Sequence, residues 1–108
     1  MHVFRLKPYI RAMTAMGFDE AAMQAVEAMI VSAPDAHPMI KGLRGARKAR
    51  FARAGTGKSG GGRTIYYLAV SADRLFMMTA YAKNERDDIS PEQRKAILRV
   101  IESIKGGK

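Results

Sequence analysis

The residues best suited to chemistry are cations in the middle of the chain. Between Asp35 and Asp73 the sequence contains no Asp or Glu, and this stretch carries eight basic residues. They are Lys41, Arg44, Arg47, Lys48, Arg50, Arg53, Lys58 and Arg63. Solvated charge runs usually mix both signs, whereas a long stretch of one sign concentrates electrostatic potential on one surface. The stretch, in a chain of net charge +9, therefore predicts a binding site for a polyanion.

A glycine-rich segment lies inside this stretch. Residues 55–59, GTGKS, look like a nucleotide-binding P-loop, but that pattern requires glycine five residues before Gly57, where Ala52 stands. A P-loop also leads into a helix, whereas the next glycines lead into a strand-like run. We expect a basic hairpin loop, with Lys58 at its tip and Arg63 at its base, that contacts phosphate and does not hydrolyse ATP or GTP.

The apolar pattern predicts the elements that position these cations. In chain order they are a strand over 2–6, helices over 8–16 and 20–31, strands over 48–51, 63–70 and 75–81, and a helix from 91 to about 105. Asp19 is a predicted N-cap, Gly17 a helix stop, and Ser90 with Gln93 a capping box. Lys48 and Arg50 alternate with Ala49 and Phe51, which predicts a strand with one basic and one apolar face.

This layout predicts an α+β fold. We expect one domain over residues 1–108, with a small sheet in which antiparallel pairs dominate. The two N-terminal helices are expected to pack on one sheet face, a C-terminal helix closes the chain, and the basic face is left open.

Other chemistries are excluded by composition. The chain has no cysteine, and its two histidines, His2 and His37, are too few for a metal cluster, so we expect neither a metal nor another cofactor. We interpret both histidines as surface residues. No apolar run approaches the roughly 18 to 20 residues of a membrane span, and the N-terminus lacks the apolar core of a secretory signal. We therefore expect a cytoplasmic protein.

Two segments together resemble a known family. The segment 57–63, GKSGGGR, and the segment 81–86, YAKNER, resemble the RelE/HigB-like toxins of bacterial type II toxin–antitoxin systems. The order of the predicted elements also agrees, and the resemblance extends over nearly the whole chain. It implies a RelE-like fold and a toxin that cleaves messenger RNA without a metal, commonly on the ribosome. It also implies a cognate antitoxin protein that neutralises the toxin.

In this family the ribose 2′-hydroxyl attacks the adjacent phosphate. The reaction needs a proton acceptor, cations over the phosphorane and a proton donor for the leaving 5′ oxygen. The predicted catalytic residues are Lys48, Arg50, Arg63, Lys83, Asn84 and Glu85, and the predicted RNA-binding residues are Arg47, Arg53, Lys58 and Tyr81. Arg63 is the first choice over the phosphate, because its planar fork suits that task.

The assignment of acid and base stays open. Lys48 could be the base, because an acid-free surface favours a neutral lysine, or it could simply contact phosphate with Arg50. Glu85 could be the base or could pair with Arg86. The chain also departs from RelE, which has arginine at the position of Asn84 and a tyrosine near Ser90.

Two other functions are compatible with the charge. A ParE-like toxin of the same fold would inhibit DNA gyrase, and a noncatalytic RNA-binding protein would need only the cations. The clustering of Arg63 with residues 83–85 favours the ribonuclease over the ParE-like toxin.

Overall fold

The computed structural model describes residues 1–52 and 61–106. Its elements are β1 (His2–Arg5), α1 (Lys7–Ala15), α2 (Glu20–Ser32), β2 (Arg47–Phe51), β3 (Gly62–Ala69), a 3₁₀ turn (Val70–Ala72), β4 (Arg74–Ala82) and α3 (Pro91–Gly106). The four strands form one sheet in the order β1-β4-β3-β2, with β1 parallel to β4 and the other pairs antiparallel. The predicted α+β class with an antiparallel-dominated sheet is confirmed.

The helix ends follow local signals. Asp19 Oδ1 accepts a hydrogen bond from the backbone N–H of Ala22 at the start of α2. At α3, Ser90 Oγ accepts from the N–H of Gln93, and Gln93 Oε1 accepts from the N–H of Ser90, which completes the predicted capping box. Gly17 follows α1 with a φ of +89°, a conformation that only glycine adopts at low cost.

Helices α1 and α2 pack against one face of the sheet. Their buried residues form one hydrophobic cluster with buried strand residues that point to this face. The members of the cluster include Tyr9, Met13, Met23, Val26, Ile30, Ala49, Phe51, Tyr66, Met77 and Ala80. A polar network lies beside this cluster. Buried Glu27 accepts hydrogen bonds from the guanidinium of Arg5 at 2.8 and 2.9 Å and from the hydroxyl of Tyr9 at 2.7 Å. Arg5 also binds Glu20.

Helix α3 packs against the opposite face of the sheet. Ile97 and Ile101 share a cluster with Ile65, Met78 and Tyr81. Because side chains alternate along β3, this is also the face of Arg63. The expectation that the whole basic face lies open is therefore wrong: α3 covers part of it, since the apolar residues of that face need a partner.

Candidate nucleic-acid interface

Three of the predicted site residues form a row across the sheet. The backbone register pairs Arg50 on β2 with Arg63 on β3, and Arg63 with Tyr81 on β4. Directly opposed residues project from the same face, and their Cβ atoms lie about 5 Å apart. Lys48 precedes Arg50 by two residues and so shares this face. The register thus brings together cations from strands that a glycine-rich segment separates in the sequence.

This row borders an open groove of about 520 Å³. The lining residues are His37, Pro38, Lys48, Arg50, Arg63, Tyr81, Lys83 and Asp87. The lining contains four cationic side chains and one carboxylate, so the groove has the electrostatic character that a phosphate chain requires.

The two arginines keep donors available for a ligand. Arg63 is half-buried, and its Nη1 donates to the carbonyl of the neighbouring Gly62 at 3.0 Å. Arg50 is exposed, and its side chain forms no hydrogen bond or ion pair with the described residues. A guanidinium has five N–H donors, so both side chains can bind phosphate oxygens without breaking an existing ion pair.

Both groove lysines have carboxylate partners. Lys83 Nζ lies 3.1 Å from Asp87 Oδ1, and Lys48 Nζ lies 3.6 Å from Asp88 Oδ1. Asp88 also contacts Arg94 of α3 at 3.3 Å. A hydrogen bond from the N–H of Ile89, and then the charge of Lys48, hold the pKa of Asp88 below its usual value. The expectation of an acid-free surface is therefore wrong, because the segment before α3 brings two carboxylates to it.

Tyr81 forms part of the groove floor. The residue is 5% exposed, packs with Ile65 and Ile97, and donates its hydroxyl hydrogen to the carbonyl of Asp87 at 3.3 Å. A ring packed in this way offers little surface on which a base could stack. The hydroxyl contact instead holds the 83–87 segment next to the groove.

Three of the predicted residues lie outside this groove. Asn84 is exposed in the turn after β4, and Glu85 lines a separate groove beside Met16, Arg86 and Gln93. The guanidinium of Arg86 donates to Gln93 Oε1 at 2.7 Å. Its contact is therefore with Gln93 and not with Glu85, the pairing that the sequence suggested as an alternative. Arg47 projects from the other face of β2. Arg53 and Lys58 lie outside the described residues.

Arg47 holds a loop against the edge of the sheet. Its Nη1 donates to the carbonyls of His37 at 2.7 Å and Asp35 at 3.2 Å. The hydroxyl of Tyr66 donates to the carbonyl of Pro34 in the same loop, and burial raises the pKa of Tyr66 to about 12. These contacts hold the loop at the edge of the sheet, where His37 and Pro38 border the groove.

His37 and Asp87 are the groove residues that sequence reasoning missed. His37 is half-buried on the wall of this open groove, so its interpretation as a surface residue is compatible with the structure, but it borders the candidate site. His37 does lie in the acid-free stretch that the sequence singled out. No local pattern, however, predicts that a loop residue reaches a strand ten positions later.

Among residues 1–52 and 61–106, no three His, Cys, Asp or Glu side chains lie close enough to hold a metal ion. In the same ranges, no helix has the length and apolar character needed to cross a membrane.

Comparison with known proteins identifies the family. A family model described as "RelE toxin of RelE / RelB toxin-antitoxin system" matches residues 1–106. The chain belongs to the RelE toxin family. This RelE-family protein is also similar in structure to a mutant of the E. coli toxin RelE in the free state. The TM-score is 0.56 at 12% identity, over 93% of this chain and 96% of that chain.

The two comparisons support different statements. At 12% identity the structural match shows the fold, which is that of RelE. The family model shows that the protein is the toxin of a toxin–antitoxin system, so an antitoxin is its expected partner. The predicted resemblance, carried by the segments 57–63 and 81–86, is thereby confirmed.

Proposed function

We propose that this RelE-family toxin is a metal-independent endoribonuclease of the cytoplasm. In this proposal it cleaves messenger RNA on the ribosome by 2′-hydroxyl attack on the adjacent phosphate, and a cognate antitoxin neutralises it. The observation that carries the proposal is the row of Arg50, Arg63 and Tyr81 across three strands, with Lys48 and Lys83 beside it in one groove.

Arg63 is assigned to the scissile phosphate. During attack the phosphate becomes a pentacoordinate phosphorane with additional negative charge on its equatorial oxygens. A guanidinium fixed beside that position stabilises the charge more than it stabilises the ground state. Arg63 is suited to this because Gly62 holds one edge of its fork and the strand holds its base, which leaves its other N–H groups for the phosphate.

Arg50 and the two lysines are assigned to RNA binding around that phosphate. Arg50 lies directly across from Arg63 and can contact the same or the neighbouring phosphate. Lys48 and Lys83 exchange their partners Asp88 and Asp87 for phosphate oxygens when RNA binds. Such exchange requires little free energy, because exposed ion pairs contribute only about 0–1 kcal/mol.

The antitoxin is expected to recognise the same charge. An acidic segment that lies over the groove would neutralise the cations and exclude RNA, and complementary charge would speed its association. The proposal therefore predicts that antitoxin and RNA compete for Arg50 and Arg63.

The test is inducible expression in a bacterial host followed by primer extension on total messenger RNA. The variants are the natural chain, Arg63→Ala and a control, Arg99→Ala, which removes the same charge from an exposed position of α3. We expect growth arrest and new cuts with the natural chain and with the control. With Arg63→Ala we expect cleavage to fall by about 10²- to 10³-fold.

Other outcomes would decide against the proposal. Unchanged cleavage by Arg63→Ala would remove Arg63 from the reaction, provided that its melting temperature and its antitoxin binding match those of the natural chain. Arrest without any cuts would instead support the gyrase-inhibiting alternative. The positions of the cuts relative to codons test the ribosome: cuts in one codon position indicate ribosome dependence.

A further inference from the structure

Three aromatic residues stand side by side at the other end of the sheet face that α3 covers in part. The backbone register pairs Phe4 on β1 with Phe76 on β4, and Phe76 with Tyr67 on β3. The rings of Phe4 and Phe76 are stacked, with 5.2 Å between their centroids and 17° between their planes. Phe4 is 43% exposed, and Phe76 and Tyr67 are half-buried at the margin of the α3 cluster. This aromatic row of Phe4, Phe76 and Tyr67 is therefore partly open to a ligand.

Two cations lie over the rings of the aromatic row. The guanidinium carbon of Arg74 is 5.8 Å from the centre of the Phe76 ring, and Lys105 Nζ is 5.8 Å from the centre of the Tyr67 ring. Among the residues that the structure describes, the Arg74 side chain has no hydrogen bond or ion pair, and Lys105 donates only to the carbonyl of Arg44, at 3.4 Å. The row thus combines flat apolar rings with two positive charges that no described carboxylate neutralises.

The aromatic row is separate from the groove that holds Arg63. Tyr67 and its two cationic neighbours line another open groove, of about 470 Å³, and the two grooves share no lining residue. On β3, Ile65 lies between Arg63 and Tyr67, and it belongs to the cluster that α3 covers. Met78 has the same place on β4. Since α3 lies between the two sites, a nucleic-acid strand in the first groove cannot continue straight across the sheet to the aromatic row.

Aromatic rings on neighbouring strands are one of the surfaces by which proteins bind single-stranded RNA. An unpaired base stacks on a ring, and cations beside the ring bind the phosphates. Because β1 is an edge strand, a base can reach Phe4 from beyond the sheet and extend the stack of Phe4 and Phe76. An apolar protein segment could also cover the rings, but it would remove water from Arg74 and Lys105 without pairing their charges, which is costly. The two cations therefore favour RNA over such a segment.

We propose that the aromatic row binds unpaired nucleotides of a second RNA strand, not of the strand that lies in the groove with Arg63. A base stacks on Phe4, and Arg74 and Lys105 bind the phosphates beside it. The choice of RNA as the ligand rests on the ribonuclease function proposed above. Because α3 separates the two sites, the toxin can hold one RNA at the aromatic row while the groove binds the strand that is cut.

The first test measures binding of a short oligouridylate that carries 2′-O-methyl groups and so cannot be cleaved. We expect Arg50→Ala/Arg63→Ala, in which the groove is weakened, to keep binding at the aromatic row. Adding Phe4→Ala, or Phe4→Leu, which keeps an apolar side chain without a ring, should weaken that binding by about 5- to 100-fold. Adding Ile10→Ala is the matched control, because Ile10 is 39% exposed on α1, on the opposite sheet face, and should leave binding unchanged.

Two results of this test would overturn the inference. One is equal binding with and without the change at Phe4. The other is complete loss of binding in Arg50→Ala/Arg63→Ala alone, which would mean that the groove is the whole RNA site.

A fluorescent variant tests stacking itself and retains an aromatic ring. The natural chain has no tryptophan, so Phe4→Trp provides a single indole. We expect the oligouridylate to quench its fluorescence, because a base stacks on the indole, and an abasic strand of the same length to quench it much less. Equal quenching by the two strands would overturn the stacking role of Phe4.

The salt dependence of binding tests the cations. Arg74→Gln should lower the slope of log Kd against log salt by about 0.7, the value expected for one phosphate of a single strand. Arg11→Gln is the control, because Arg11 is exposed on α1 at the opposite sheet face and should not change the slope. Equal slopes in the two variants would remove Arg74 from the site.

A longer oligouridylate tests whether one strand reaches both sites. We expect the natural chain to bind two short strands, and a longer strand to gain little affinity. A strand that joined both sites would bind about 10²-fold or more tightly through effective concentration. Such a gain, if Phe4→Ala abolished it, would overturn the assignment to a second strand. Weaker binding of the antitoxin but not of RNA by Phe4→Ala would make the aromatic row a protein contact and would also overturn the inference.

The two proposals fail in different ways, because none of these binding measurements needs cleavage. If the natural chain makes no cuts in messenger RNA while the aromatic row binds the oligouridylate, the ribonuclease proposal fails and the binding site remains. If the natural chain cuts RNA and Phe4→Ala binds the oligouridylate as the natural chain does, only the assignment of the aromatic row fails.

Discussion

Two groups of charged contacts in this protein differ in burial and geometry. Beside the α1–α2 core, Arg5 binds Glu27 and Glu20 through several hydrogen bonds of 2.7 to 2.9 Å, and the Glu27 side chain is 8% exposed. In the groove, Lys83 and Lys48 contact aspartates at 3.1 and 3.6 Å, and the Asp87 side chain is 95% exposed.

The difference separates contacts that hold the fold from contacts that can be exchanged. A buried carboxylate without its partner is costly, so the network at Glu27 must stay intact in the folded state. Exposed pairs are screened by water and salt and are easily replaced. The groove cations are therefore free to bind another anion, and the protein does not lose stability when they do.

The largest predicted effect is on the buried network. Arg5→Met removes the guanidinium and leaves the buried carboxylate of Glu27 with only the Tyr9 hydroxyl. We expect the free energy of unfolding to fall by about 3–5 kcal/mol. Urea unfolding of Arg5→Met and of Lys48→Met measures the two free energies of unfolding. Lys48→Met breaks an exposed ion pair and should lower the free energy of unfolding by less than about 1 kcal/mol. Equal losses in the two variants would contradict the difference between the buried and the exposed contacts.

The second prediction concerns alkaline pH. Burial and the hydrogen bond to Glu27 raise the pKa of Tyr9 well above its usual value of 10. The folded state therefore keeps a proton that the unfolded chain releases, so this contribution to stability is complete below about pH 10 and declines above it. The midpoint of urea unfolding in the natural chain should fall as the pH rises from 8 to 11.5. The fall should be smaller in Tyr9→Phe, and an equal fall would argue against Tyr9 as the titrating group.

The smallest predicted effect is on RNA affinity. Asp87→Asn removes the anion that competes with phosphate for Lys83, so we expect RNA to bind severalfold more tightly at low salt, with stability changed by less than about 1 kcal/mol. Asp73→Asn is the matched control, because Asp73 is exposed and lies at the other end of β4, where it pairs with the N-terminus. The measurement is binding of a 2′-deoxy oligonucleotide at several salt concentrations. Tighter binding by both variants would mean that only net charge matters.

Local patterns predicted the elements and their ends. Asp19, Gly17 and the Ser90–Gln93 pair act on backbone groups within a few residues. The nearby sequence is therefore sufficient to predict their effect. Strand alternation likewise predicted that Lys48 and Arg50 share a face, because successive side chains point to opposite sides.

Contacts between distant segments could not be predicted in this way. The sequence suggested Glu85 as a base, but the turn after β4 directs it to another groove. It suggested Tyr81 as a contact for RNA, but packing against α3 buries the ring. Both outcomes depend on how β4, the turn after it and α3 are arranged. The packing of the hydrophobic core determines that arrangement.

By itself the sequence determined a basic α+β toxin fold with its cations on one strand face, because charge, alternation and capping are local properties. Only the tertiary structure decided that Arg50, Arg63 and Tyr81 stand in one row, that Asp87 and Asp88 reach the groove lysines, and that His37 lines the groove. These proximities follow from strand register and from the packing of loops on strands far away in the chain, which no local pattern encodes.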